Sequence, residues 1–177
     1  MGTVNSVNRR RFLAGASVAA LGTTLSKAYA GDTRAAGVTV DRVYRTTRTD
    51  AEWMDLLGED AFKILRGGET EFPFTSPYWE NNDPGTYHCV GCQTPLYESD
   101  WYSPQEIGFV FFDHAIPNRV LLGIDITDYN GLLPEPKAFV EVHCEECGSH
   151  LGHQISLEGK ILHCINGTAL NLVEKEV

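Results

Sequence analysis

The chain has 177 residues, 42% of them hydrophobic and 21% charged, which is the length and texture of one globular domain with its own core, not of a disordered chain. The formal charge of −10 is unevenly spread: residues 1–30 hold Arg9, Arg10, Arg11 and Lys27 and no acid, so the remaining 147 residues carry 10 basic and 24 acidic side chains, a balance of −14. A body that acidic argues against nucleic acid or an anionic membrane as partner.

The N-terminal stretch "NRRRFLAGASVAALGTTLSKAYA" has a basic start, a short apolar run and a small-residue ending at Ala28–Tyr29–Ala30, the layout of a cleaved targeting segment. Arginines followed by Phe-Leu resemble the twin-arginine export signal, which carries proteins across a membrane already folded; an ordinary secretory signal is the alternative. The apolar run is too short and too diluted with Gly and Thr to span a bilayer. Residues 1–30 are therefore expected to be removed, leaving a soluble protein outside the cytoplasm, in the periplasm. Residues 31–48 are small, polar and basic, and read as a flexible leader to a domain over 49–177.

"TDAEWMDLLGEDAFKILRGG" reads as helix. Thr49 and Glu52 have capping-box spacing. Trp53, Leu56, Leu57, Ala61, Ile64 and Leu65 recur on one face, and Gly58 divides the run into two short helices. The stripe is core packing. From Thr86 onward the texture changes: "TYHC", "PLYES", "IGFVFFDHAI", "RVLLGIDI", "KAFVEVHC", "HQISL" and "KILHCIN" are short, aromatic or β-branched, and bounded by Gly, Pro, Asn and Asp. The fold class is mainly β, with two antiparallel sheets and short N-terminal helices laid against one end.

Two C-x-x-C units, "CVGC" (Cys89, Cys92) and "CEECG" (Cys144, Cys147), lie some fifty residues apart. Each is a tight turn that aims two thiolates at one point, and two such turns make a closed tetrahedral site for one structural zinc per chain. Two disulfides are the rival, since an exported protein meets an oxidising compartment. Four thiolates leave zinc no open position, so its role is to join two hairpins.

That isolates Cys164. In an extended "ILHCIN", Leu162, Cys164 and Asn166 share one face and Ile161, His163 and Ile165 the other. "GSHLGH" places His150 and His153 three apart on a loop beside the second knuckle, and the hairpin turn at Glu158–Gly159 carries them back toward the cysteine. A thiol near imidazoles and an amide can be a nucleophile; a lone cysteine is as often a small buried hydrophobe. Spacing alone does not choose.

"TEFPFTSPYWENNDPGTYHCVGC", "VHCEECGSHLGH" and "LHCINGTALNL", in this order over residues 50–172, resemble the methionine-R-sulfoxide reductase B family. The resemblance implies two antiparallel sheets, a structural Cys₄ zinc, and reduction of the R epimer of methionine sulfoxide in proteins or as the free amino acid. It implies Cys164 as the nucleophile, with His150, His153 and Asn166 as active-site polar residues and an imidazole as proton source. Cys164 would pass through a sulfenic acid. With no cysteine in "SPQEIGF", where some members keep a resolving thiol, the reductant would be a thioredoxin-like or small-molecule thiol.

Two positions depart from the family. Its usual "GWPSF" reads "GFVFF" here, so Phe109 takes the place of the tryptophan that packs on the substrate methyl group. Its usual arginine two residues before the cysteine is Leu162, and losing that cation should raise the thiol pKa. The alternatives are a non-catalytic zinc-ribbon-like binding domain, or a thiol enzyme for another oxidised substrate. A monomer is expected.

Overall fold

The computed structural model describes residues 42–80 and 83–175. The expected export signal and the first part of the leader lie outside these residues.

Helix α1, Asp50–Leu65, begins where its cap requires: the Thr49 hydroxyl accepts the Glu52 N–H while the Glu52 carboxylate accepts the Thr49 N–H at 2.8 Å. Gly58, at φ 75° and ψ 170°, breaks it into two short helices. The break also resets the helical phase. Trp53, Ile64 and Leu65 are buried and Leu57 and Ala61 half-buried, but Leu56, expected on the same face, is 51% exposed.

Eight strands follow: β1 Gly85–Cys89, β2 Pro95–Glu98, β3 Val110–Phe112, β4 Val120–Thr127, β5 Lys137–Cys144, β6 His150–Leu157, β7 Lys160–Ile165 and β8 Leu170–Glu174. They form two antiparallel sheets, of order β2-β1-β8 and β3-β7-β6-β5-β4. All seven expected strand segments are present. β8 is additional, completing the small sheet on the free side of β1. β6 begins at His150, so the two histidines read as loop residues stand on a strand. One core joins the helix to both sheets, with Trp53 and Leu65 from α1, Tyr87 and Tyr97 from the small sheet, and Phe112, Val142 and Ile165 from the large one. Tyr97 stacks on Phe112 with ring centroids 4.3 Å apart, a direct contact between the sheets.

The cysteine pairs make the second connection. Cys89 ends β1 in the small sheet and Cys144 ends β5 in the large one. Each strand then turns back on itself: the Gln93 N–H reaches the Cys89 carbonyl at 2.8 Å, and the Gly148 N–H reaches that of Cys144 at 2.9 Å. The four Sγ atoms lie within 4.8 Å of one another, with Cys89–Cys147 at 3.8 Å and Cys92–Cys144 at 3.6 Å. A disulfide needs about 2.05 Å, and all are free thiols. A metal with sulfur ligands at about 2.3 Å in a tetrahedron has edges of about 3.8 Å. The set fits a metal.

Residues 42–48, expected to belong to the flexible leader, are docked on the second knuckle. Tyr44 is 3% exposed, with its ring so close to Gly148 that a Cβ there would lie 2.5 Å away. Arg42 and Arg45 pair with Glu145 and Glu146 at 2.6–2.7 Å, and the Thr46 N–H donates to the Glu146 carbonyl. The packed domain thus begins before residue 49. The acidic knuckle gives the basic leader something to bind.

β6 and β7 approach each other more closely at Gly152 than a side chain permits. Its φ is 155°, and a Cβ would lie 2.1 Å from the Cys164 carbonyl oxygen. Gly152→Ala should therefore destabilise the domain by about 2 kcal/mol or more. The expected result is a fall in Tm of about 5–10 °C in a thermal melt.

Candidate active site

The β6–β7 hairpin sets the site. Its two-residue turn, Glu158 at φ 49° and Gly159 at φ 81°, has the left-handed pair that matches strand twist, and it fixes the register from Leu157↔Lys160 to His153↔Cys164. A slip of one residue would turn Cys164 to the other face. Register carries the row across the whole sheet: Phe111 lies opposite Cys164, Cys164 opposite His153, His153 opposite Glu141, and Glu141 opposite Gly123. Residues directly opposite share a face, with Cβ atoms about 4.5–5.5 Å apart. Cys164 and His153 are neighbours by construction.

A small cleft opens on this face, lined by Thr70, Phe109, Tyr129, Gly152, His153, Cys164, Ile165 and Asn166. Phe109, just ahead of β3, supplies the aromatic wall. No Lys or Arg lines the cleft, and Leu162, two residues before the thiol, is buried. Burial, and then the charge of Glu71, push the Cys164 thiol up to about 12.

The other expected residues separate. His153 faces the cleft, its Nε2 2.8 Å from Asp125 Oδ2 and its Nδ1 3.2 Å from the Tyr129 hydroxyl. His150 is fully buried and is not among the lining residues; its Nδ1 lies 2.9 Å from Glu141 Oε1, and its ring meets that of His153 with centroids 5.1 Å apart. Burial, only partly opposed by Glu141, lowers the His150 pKa. Burial also pushes the Glu141 carboxyl up, but its pairing with His143 and His150 outweighs it and holds the group below its usual range. Asn166 lines the cleft with its amide already engaged: Oδ1 accepts the Glu71 N–H and Nδ2 donates to the Leu151 carbonyl, both at 3.1 Å. Glu71 in turn accepts from the Gly167 and Thr168 N–H groups and the Thr168 hydroxyl. The amide ties the loop of residues 70–71 to β6.

Asp125, Glu141 and Tyr129 did not emerge from the sequence. For the acids a signal existed: "GIDIT" and "FVEVHC" each place one carboxylate inside an apolar strand, where only an inward-facing partner explains it. Tyr129 gives no such signal, because its position depends on how the β4–β5 loop folds back.

The model of the SelR domain matches residues 57–174, two thirds of the chain and both knuckles with Cys164. The chain belongs to the methionine-R-sulfoxide reductase B family. Its relatives include "Peptide methionine sulfoxide reductase B1, chloroplastic" of Oryza sativa, 36% identical over 73% of this chain and 59% of that protein. "Peptide methionine sulfoxide reductase 2" of Saccharomyces cerevisiae is 35% identical, over 70% and 75%. "Peptide methionine sulfoxide reductase MsrB" of Agrobacterium fabrum is 33% identical, over 71% and 91%. The family is one of oxidoreductases, and among the described residues Cys164 is the one cysteine outside the metal-fitting cluster.

A thiol displaced to about 12 is almost wholly protonated at neutral pH, and the thiolate is the species that alkylates. Alkylation of the Cys164 peptide by iodoacetamide, followed by mass spectrometry, should rise about tenfold per pH unit from pH 7 to 9.5. A plateau at pH 6–8 would show a thiol already ionised.

Proposed function

We propose that this chain reduces the R epimer of methionine sulfoxide, protein-bound or free, to methionine. The observation that carries the reading is Cys164 standing opposite His153 in a small cleft walled by Phe109. Cys164 attacks the sulfoxide sulfur, methionine leaves, and the oxygen stays on Cys164 as a sulfenic acid. With the thiol protonated at rest, its proton must move in the same step, and the polar groups able to handle it lie on the His153 wall. His150 stands behind that wall. Asn166 holds the loop that closes the cleft.

The remaining cysteines support a single-thiol cycle. Cys89, Cys92, Cys144 and Cys147 fit one zinc, and the chemistry zinc supplies there is a cross-link between two strands, since four thiolates fill its tetrahedron. No other cysteine remains to resolve the sulfenic acid, so a thioredoxin-like or small-molecule thiol from outside completes the cycle. The stretch from Arg9 to Ala30 supports export, with repair of oxidised proteins outside the cytoplasm as the role. No helix among the described residues is long and apolar enough to cross a membrane.

The purified protein, given methionine R-sulfoxide and dithiothreitol, should yield methionine, and the S epimer should not react. Cys164→Ser should abolish turnover while leaving about one zinc per chain by elemental analysis. Cys144→Ser should lose the zinc and much of the thermal stability. Zinc retained with no turnover of the R epimer would favour a binding domain instead.

A further inference from the structure

Tyr129 occupies a position that its backbone would not adopt unaided. It and the next two residues, Asn130 and Gly131, are all left-handed, at φ 52°, 57° and 83°. A tyrosine in that region is uncommon and persists only where the surroundings over-determine it. Here they do. The Tyr129 N–H donates to the Thr127 hydroxyl at 3.0 Å, its carbonyl accepts from the Leu132 N–H at 3.2 Å, and the Asn130 amide reaches across to the Thr70 carbonyl at 2.6 Å. The ring is clamped edge-on by Phe139 and His153, at centroid distances of 4.9 and 5.3 Å. All this fixation delivers one hydroxyl to the cleft wall, on His153 Nδ1.

Asp125 settles which way that bond runs. A carboxylate only accepts, so its contact at 2.8 Å places a proton on His153 Nε2. In the neutral ring, Nδ1 then accepts from the Tyr129 O–H; in the imidazolium, Nδ1–H donates to the Tyr129 oxygen and frees its O–H to turn toward the cleft. Both ring nitrogens are occupied in either state. His153 therefore has no N–H of its own to offer a ligand in the cleft, whereas Tyr129 does offer an O–H.

We propose that Tyr129 is a catalytic residue of this site, the acid that protonates the sulfoxide oxygen, with His153 recharging it and Asp125 as the positioning residue for His153. This rests on the reductase reading above. The Cys164 proton passes through the Tyr129 hydroxyl to His153 Nδ1 as the thiolate attacks. The proton returns by the same route to the oxygen as the sulfoxide S–O bond breaks and the Cys164 S–O bond forms. Cys164 loses two electrons, the sulfoxide sulfur gains two, and thiol plus sulfoxide become sulfenic acid plus sulfide with no proton taken from outside. Burial pushes the Tyr129 pKa up, which keeps the hydroxyl protonated between turnovers.

Tyr129→Phe removes the hydroxyl and keeps the ring that packs on Phe139. Two rates are measured on wild type and variant: methionine formed from methionine R-sulfoxide with dithiothreitol, and alkylation of Cys164 by iodoacetamide, which displaces iodide and needs no acid. The variant's reduction rate should fall about 10²–10⁴-fold while alkylation stays within about twofold. Asp125→Asn should lower kcat with KM unchanged. Reduction by Tyr129→Phe at the wild-type rate would overturn the proposal, and so would an equal fall in both rates, which would mark a packing role. A wild type that forms no methionine would overturn the reductase reading itself, and is distinguishable from an active wild type matched by its variant.

Discussion

The cysteine cluster is the constraint on which the other features rest. Two sheets share a core, and this cluster ties the end of a strand in one to the end of a strand in the other, through Cys89 and Cys144. A structural zinc in such a set contributes about 10–16 kcal/mol, comparable with the whole stability of a typical domain, about 5–15 kcal/mol. α1 packs against the same feature: the Arg66 guanidinium lies over Trp53 and donates to the Cys147 carbonyl at 3.1 Å. So does the docked segment through Tyr44. The knuckle also fixes where β6 begins, three residues after Cys147, and thereby which face His153 takes.

Once the knuckle has placed β6, the hairpin and strand alternation do the rest. The face opposite the core carries Cys164, His153, Glu141 and Asp125. The other face of the same strands gives Val110, Val142 and Ile165 to the core. A register shift between Val142 and His143 brings His143 opposite His150, and Glu141 serves both rings, at 3.6 and 2.9 Å. Buried carboxylates are costly unless paired; here each has a histidine. The pairing is incomplete: Asp125 Oδ1, Glu141 Oε2, His143 Nδ1 and His150 Nε2 are buried without a hydrogen-bond partner among the described residues.

Much of this was legible in the sequence because it obeys short-range rules. Cap spacing located α1, alternation located seven strands, and the Glu158–Gly159 turn predicted that His153 would approach Cys164. The failures share a different cause. Leu56 lies outward although it stands three residues after buried Trp53 and ahead of the Gly58 break, because the neighbouring Leu57 takes the inward side of that turn. β8 was missed because "LNLVE" is a half-buried edge strand with little contrast between its faces. The register shift at Val142/His143 keeps His150 on the same face as His153, but one step further under the sheet, against Glu141, where alternation alone does not place it. Tyr129 and Asp125 come from β4 and its loop, which only the paired sheet brings to the hairpin.

The missing cation beside Cys164 has a consequence for the protein's chemical lifetime. With the thiol pushed to about 12, only about one molecule in 10⁵ is ionised at neutral pH. Peroxides and disulfides, which react with thiolates, find almost nothing to consume. An exported cysteine with an arginine at its side would be ionised, exposed to every oxidant, and open to stepwise loss as sulfinic acid. Here burial holds the proton on the sulfur. A thiol held in its protonated form is in this way sheltered from stepwise oxidation.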